Sequence, residues 1–166
     1  MKIKRMHLAK LIEVFNKIKS SDHINIKTAL ILYKNSKKIE EELKFIQEEL
    51  PKLVSDATRN FELKKQELMK ECCVKDDDGN PVKQPDGGYS FSQEGFMEFQ
   101  NRLAKYLEEL DEDTRYKIEK EMIDIKNFTE EEIEIDLEPF KEDMLPDNVL
   151  NYSDISFLFD CGCTLG

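Results

Sequence analysis

The sequence predicts a mainly α fold: a long antiparallel helical hairpin with a small β-hairpin tip and a short two-stranded β element at its head. Three observations predict it. Charged residues make up 37% of the 166 and hydrophobic ones 39%, without a Trp, a balance that suits solvated helices with narrow apolar stripes. A Gly/Pro/Asp-rich insert, Cys73–Phe91, separates two segments of helical period. Near the end, Ile133, Ile135 and Leu137 alternate with Glu134, Asp136 and Glu138, the period of a strand.

The head covers residues 1–25. Lys2-Ile-Lys-Arg5 is a short strand, and Leu8, Leu11, Ile12, Phe15 and Ile18 place one apolar stripe on a short helix. Ser20-Ser-Asp-His-Ile-Asn25 breaks that helix, and Asn25 supplies an N-cap for the next. The long helix, residues 26–72, carries Ile26, Leu30, Tyr33, Ile39, Leu43, Ile46, Phe61 and Leu68 along a seam expected to be buried. Pro51 removes one backbone donor and crowds the preceding turn, so a kink is expected near Glu48–Pro51; the stripe on either side favours a bend over a break.

Asp78-Gly79 predicts a turn between short extended segments, and Pro85-Asp-Gly-Gly88 a second one. Ser92 caps the second helical arm, residues 92–127, whose stripe Phe96, Phe99, Leu103, Tyr106, Leu107 and Leu110 should face the long helix as core. Ile118, Met122 and Ile125 prolong that arm or start another helix. The acidic strand around Ile133–Leu137 belongs to residues 128–166, and its natural partner is the strand at Ile3, with Lys2 and Lys4 near Glu134 and Asp136. The apolar run Ser153–Phe159 must dock, and the head of the hairpin is where it is expected to close. One domain accommodates all 166 residues.

Several chemistries are disfavoured by the residues. A net charge of −11 opposes phosphate backbones, so direct nucleic-acid binding is not expected. The charge is uneven: residues 1–20 carry six Lys/Arg against one Glu, while 107–147 are crowded with Asp and Glu, so head and tail can attract each other within one chain or between copies. No apolar run approaches the roughly 18 residues of a membrane span, and the first residues lack the apolar core of a signal peptide. A soluble, intracellular protein with no membrane partner is expected.

The candidate ligand sets fall short of their templates. With Asp76 in position one of a calcium loop, Asp78 and Asn80 fit positions three and five. Pro81, however, stands where the loop's glycine belongs and Gly87 where its closing Glu belongs, so the stretch reads as a turn. Cys72-Cys73 and Cys161-Gly-Cys163 lack the two-to-four-residue spacing of a zinc site and read as reduced thiols. His7 and His23, the only histidines, have no nucleophile beside them in sequence. No catalytic residue, cofactor or metal is predicted.

In order of parts, Met1-Lys-Ile-Lys4, a long charged helix, Lys75-Asp-Asp-Asp-Gly-Asn-Pro-Val82, Gly87-Gly-Tyr-Ser-Phe91, Phe96-Met-Glu-Phe-Gln100 and Glu130-Glu-Glu-Ile-Glu-Ile-Asp-Leu-Glu-Pro-Phe140 resemble a family of small uncharacterised tailed-phage proteins. The charged segment 111–128 and the cysteine-bearing end depart from that pattern. The resemblance implies a phage-encoded protein, placed in the host cytoplasm or the virion, and brings no activity with it. The expected function is a non-enzymatic protein-interaction or assembly role, with a phage or host protein as partner and self-association open. Val82, Tyr89 and Phe91 at the tip, with Phe157 and Phe159 near the end, are the candidate contact residues. The alternative is an acidic inhibitor of a host nucleic-acid-handling or defence protein, occupying a basic groove built for phosphates.

Overall fold

The structure is a computed structural model that describes residues 1–22, 24–84, 87–146 and 149–165. His23 and the Pro85-Asp86 half of the second predicted turn lie outside the described residues. Among the described residues the fold is mainly α, with six helices and a small antiparallel sheet. It forms two compact units, Met1–Lys52 with Ile125–Gly166, and Leu53–Asp124.

In the first unit, β1 (Lys2–Lys4) pairs antiparallel with β2 (Glu132–Glu134) in the register Lys2↔Glu134, Ile3↔Ile133, Lys4↔Glu132. The ladder continues through Met1, whose ammonium donates to the Ile135 carbonyl at 2.8 Å while the Ile135 N–H donates to the Met1 carbonyl at 3.0 Å. Lys2 therefore faces Glu134 as expected, but Lys4 faces Glu132. Asp136 goes instead to Lys38, whose ammonium lies 2.9 Å from its carboxylate. Pairing stops early because the Leu137 N–H turns back onto the Ile135 carbonyl at 3.1 Å. The strand-like alternation outlasts the strand: Ile135 and Leu137 are buried, and Glu134, Asp136 and Glu138 are exposed.

Helix α1 (Leu8–Lys19) buries Leu8, Leu11, Val14, Phe15 and Ile18, the stripe that its period dictates. Helix α2 (Ile26–Glu49) starts at the expected cap, with the Thr28 N–H donating to the Asn25 side chain at 2.9 Å. Its buried face is the predicted one only from Ile39 onward, where Leu43 and Ile46 also pack against the core. Ile26, Leu30 and Tyr33 are exposed, while Thr28, Ile31, Leu32, Asn35, Ser36 and Ile39 are buried. The polar members have reasons to be there. The Asn35 amide donates to the Glu138 carbonyl at 2.8 Å and accepts from the Glu138 N–H at 2.9 Å, so it completes the backbone of the chain beyond β2 as a neighbouring strand would. Thr28 donates to the Met144 carbonyl at 3.2 Å.

The last segment docks on this core as expected of Ser153–Phe159. It does so as helix α6 (Tyr152–Asp160), opened by a capping box in which Asn151 and Asp154 bond each other's N–H. Leu158, Cys161 and Cys163 join Phe15 and Phe140 in the same cluster. A parallel ladder of β3 (Phe140–Lys141) and β4 (Thr164–Leu165) adds a second small sheet that two-residue strands gave no sequence signal for. Arg5 is held against the faces of Phe128 and Phe45, its guanidinium carbon 4.3 and 5.6 Å from the ring centroids, and it pairs with Glu131.

The expected 26–72 helix is two helices. After α2, the chain makes a 3-10 turn at Leu50–Leu53 and restarts as α3 (Asp56–Cys72). Pro51 alone would permit a bend. The break follows because Ser55 takes the N-cap position, accepting from Thr58, while its own N–H donates to Glu121 at 2.8 Å. The second arm is likewise divided, into α4 (Gln93–Glu109), capped by Ser92, and α5 (Glu112–Glu130), where Asp111 accepts from the Thr114 N–H at 2.8 Å. Helices α3 and α4 run antiparallel, as predicted, and touch backbone to backbone at the tip end: a Cβ placed on Gly95 would lie 2.4 Å from the Cys72 carbonyl oxygen.

Candidate interaction surface

The second unit contains few apolar side chains that are fully covered. Phe61, Leu68, Cys72, Cys73 and Ile118 are its buried apolar residues among those described, and α4 buries none of its own. The α4 stripe is therefore not the core that its period predicts. Three amphipathic helices each bring a stripe, and the small bundle leaves part of that surface uncovered. The result is an apolar groove of about 660 Å³. Its walls are built by pairs one turn apart: Leu103 with Leu107 on α4, and Ile118 with Met122 on α5. Phe61 on α3 forms the floor at 8% exposure, and Ile123 stands at the margin at 59%.

Charge surrounds the groove unevenly. Lys65 on its rim is engaged by Glu62 at 3.2 Å, and Arg115 and Glu119 also reach it. Beyond Leu107, the α4–α5 junction exposes Glu108, Glu109, Glu112 and Asp113 within six residues. Asp111, in the same run, is held below the usual carboxylate range by the Thr114 hydroxyl and N–H that it accepts from.

The described part of the tip is closed by two isolated bridges, Lys75 with Pro81 and Lys83 with Tyr89, rather than by strands. Val74 donates to the Ser90 carbonyl and accepts from Val82, and Ser90 donates to Val82, so three segments meet in a closed triangle. Asp76 is turned inward, its carboxylate accepting from the N–H groups of Asp78 at 3.1 Å and Asn80 at 2.7 Å. Gly79 takes the left-handed conformation that the first turn requires. Among the described residues no group of three or more His, Cys, Asp or Glu is arranged to hold a metal ion.

The candidate contact residues are distributed over both units. Val82 and Tyr89 are half-buried in the tip, and Phe91 sits at its base against Phe96 and Phe99, with ring centroids 5.9 and 5.8 Å away. In the first unit, Phe157 is half-buried, edge-on to His7 at 5.6 Å and under the Lys10 ammonium at 4.6 Å. Phe159 is exposed at 43%. The structure thus joins Phe91 to the α4 aromatics and engages Phe157 internally. Leu103, Leu107, Ile118 and Met122 carried a sequence signal, their helical period, but it could not separate a covered stripe from an open one.

A smaller cavity of about 310 Å³ in the first unit is lined by Lys2, Lys4, His7, Glu132, Asp160 and Cys161 among others. Its mixed charges offer no single ligand chemistry, and burial pushes the Cys161 thiol up to about 11, away from the nucleophilic thiolate. Cys163 is pushed up to about 12 by the same cause and rests against Met1. Among the described residues no helix is long and apolar enough to cross a membrane. Comparison of the chain with protein-family models, curated proteins and solved structures finds no match, so the groove and its surroundings are what bear on function.

Proposed function

We propose that this is a non-enzymatic, phage-encoded interaction protein whose groove on the second unit seats a short apolar helical face of a protein partner. The observation that carries the reading is the apolar groove itself, about 660 Å³ and walled by Leu103, Leu107, Ile118 and Met122. Concave apolar surface left open in a small helical unit marks an interaction site, and pairs one turn apart match the spacing of an amphipathic helix laid along them. The walls extend about one turn on each helix, so the groove suits a short anchor centred on one large apolar side chain.

The test is affinity capture on immobilised wild type and Ile123→Glu, from infected and uninfected host lysates, with washes at low and high salt. The reading expects a protein retained through high salt by the wild type and lost from Ile123→Glu. Equal capture by both proteins would overturn the groove as the site. A basic host protein released by salt from both would instead favour an acidic inhibitor acting through the carboxylates of the α4–α5 junction.

A further inference from the structure

Resting on the interaction reading of the groove, we infer that its occupant is a second copy of this chain, which inserts the exposed start of α2. Ile26, Leu30 and Tyr33 are spaced i, i+4, i+7, the anchor spacing of a helix in a groove. They are exposed at 82%, 55% and 58%, although nothing in a solvated helix requires three large apolar side chains on one face. The stripe is about 10 Å long, two helical turns, against walls of about one turn, so Leu30 seats between the walls and Ile26 and Tyr33 reach past their ends.

Charge complementarity selects the same pairing. Lys27, Lys34 and Lys37 flank the stripe; residues 1–38 hold ten Lys/Arg against two Asp/Glu. Lys37 lies over the Tyr33 ring at 5.2 Å, and Lys34 has only a 3.5 Å contact with Glu138. The groove lies beside Glu108, Glu109, Glu112 and Asp113, none of which has an ion pair among the described residues. The groove's own lining sets Lys65, paired with Glu62, and Arg115 against Glu119, but residues 107–124 around it hold eight Asp/Glu against Arg115, Lys117 and Lys120, so its surroundings are net acidic. The two faces are different surfaces, so each copy offers a stripe and a groove, and copies join by exchanging them reciprocally in a closed pair or by adding head to tail.

Sedimentation velocity over a concentration series, at low and high salt, tests this with three proteins: wild type, Leu30→Glu and Ile123→Glu. Both substitutions fall at exposed positions, and circular dichroism checks that each variant keeps its helix content. Wild type should associate into dimers or larger species as concentration rises, weakened by high salt but retained through it. Each variant alone should sediment as a monomer. Mixed together, they should form a dimer and nothing larger, because one retains its groove and the other its stripe. Lys27→Glu with Lys37→Glu should weaken wild-type assembly at low salt and lose that difference at high salt. A wild type monomeric throughout, or variants that stay monomeric when mixed, would overturn the inference. If a different protein is still captured through Ile123, the groove reading survives without it; if neither is seen, both fall.

Discussion

Two polar side chains in the first unit are buried because each replaces a backbone or charged partner that the fold leaves open. Asn35 bonds both backbone groups of Glu138, and truncating it to Ala should cost about 1–3 kcal/mol, since the Glu138 N–H and carbonyl would lose their partners; urea unfolding measures this. Asp154 is 4% exposed and receives the Lys17 ammonium at 2.8 Å on both oxygens. Burial works to raise its pKa, but the Lys17 hydrogen bond, the Asn151 N–H and the Lys17 charge together hold it below the usual carboxylate value. A depressed folded value means that the stabilisation is fully present above the unfolded carboxylate pKa, roughly 3.9, and is lost as pH falls through the lower folded one. Asp154→Ala should therefore lose about 2 kcal/mol at pH 7. Its urea midpoint should approach that of wild type as the pH is taken below about 4.

At the scale of elements, caps decide where helices stop. Ser55→Ala removes the α3 cap and should cost about 1 kcal/mol, read from thermal or urea unfolding. The tip closes its backbone hydrogen bonds on itself through Val74, Val82 and Ser90. Replacing Val74–Ser90 with a short Gly turn should accordingly leave the far-ultraviolet helical signal per helical residue unchanged; wholesale unfolding would show that the insert is part of the core. These elements were legible in the sequence to different degrees. Asn25 and Ser92 could be read as caps because their chemistry is local, and the β1–β2 pairing because alternation and charge both pointed to it. The α2 face was legible only in its second half, at Ile39, Leu43 and Ile46. Ile26, Leu30 and Tyr33 have helical spacing, but the buried face is fixed by Asn35 and Thr28 meeting backbone more than 100 residues away, which no local pattern contains. The break at Pro51 was half-legible: the proline is visible, whereas the Glu121 carboxylate that receives the Ser55 N–H is remote in sequence.

For the whole molecule, the contrast lies in how much each unit covers. The first has a continuous cluster running from Ile3 through Phe15, Ile39 and Phe140 to Cys163, whereas α4 in the second contributes no fully buried side chain. Native-state hydrogen exchange should accordingly find amides of α1 and the first half of α2 protected more strongly than those of α4, by tenfold or more; equal protection would contradict the thin covering of the second unit. The groove was invisible from sequence for the same reason, since a stripe states which residues are apolar and not whether another element lies over them. Gly95 gives that openness a mechanical side. At the tip end, α3 and α4 are separated by no side chain at this position, while the Leu103 and Leu107 wall stands roughly 12–18 Å further along α4. The arms work like tongs whose jaw width is set at the rivet. A single methyl group there meets an unyielding carbonyl rather than a pliant side chain, so the smallest residue in the chain acts as the calibration of a surface it never touches.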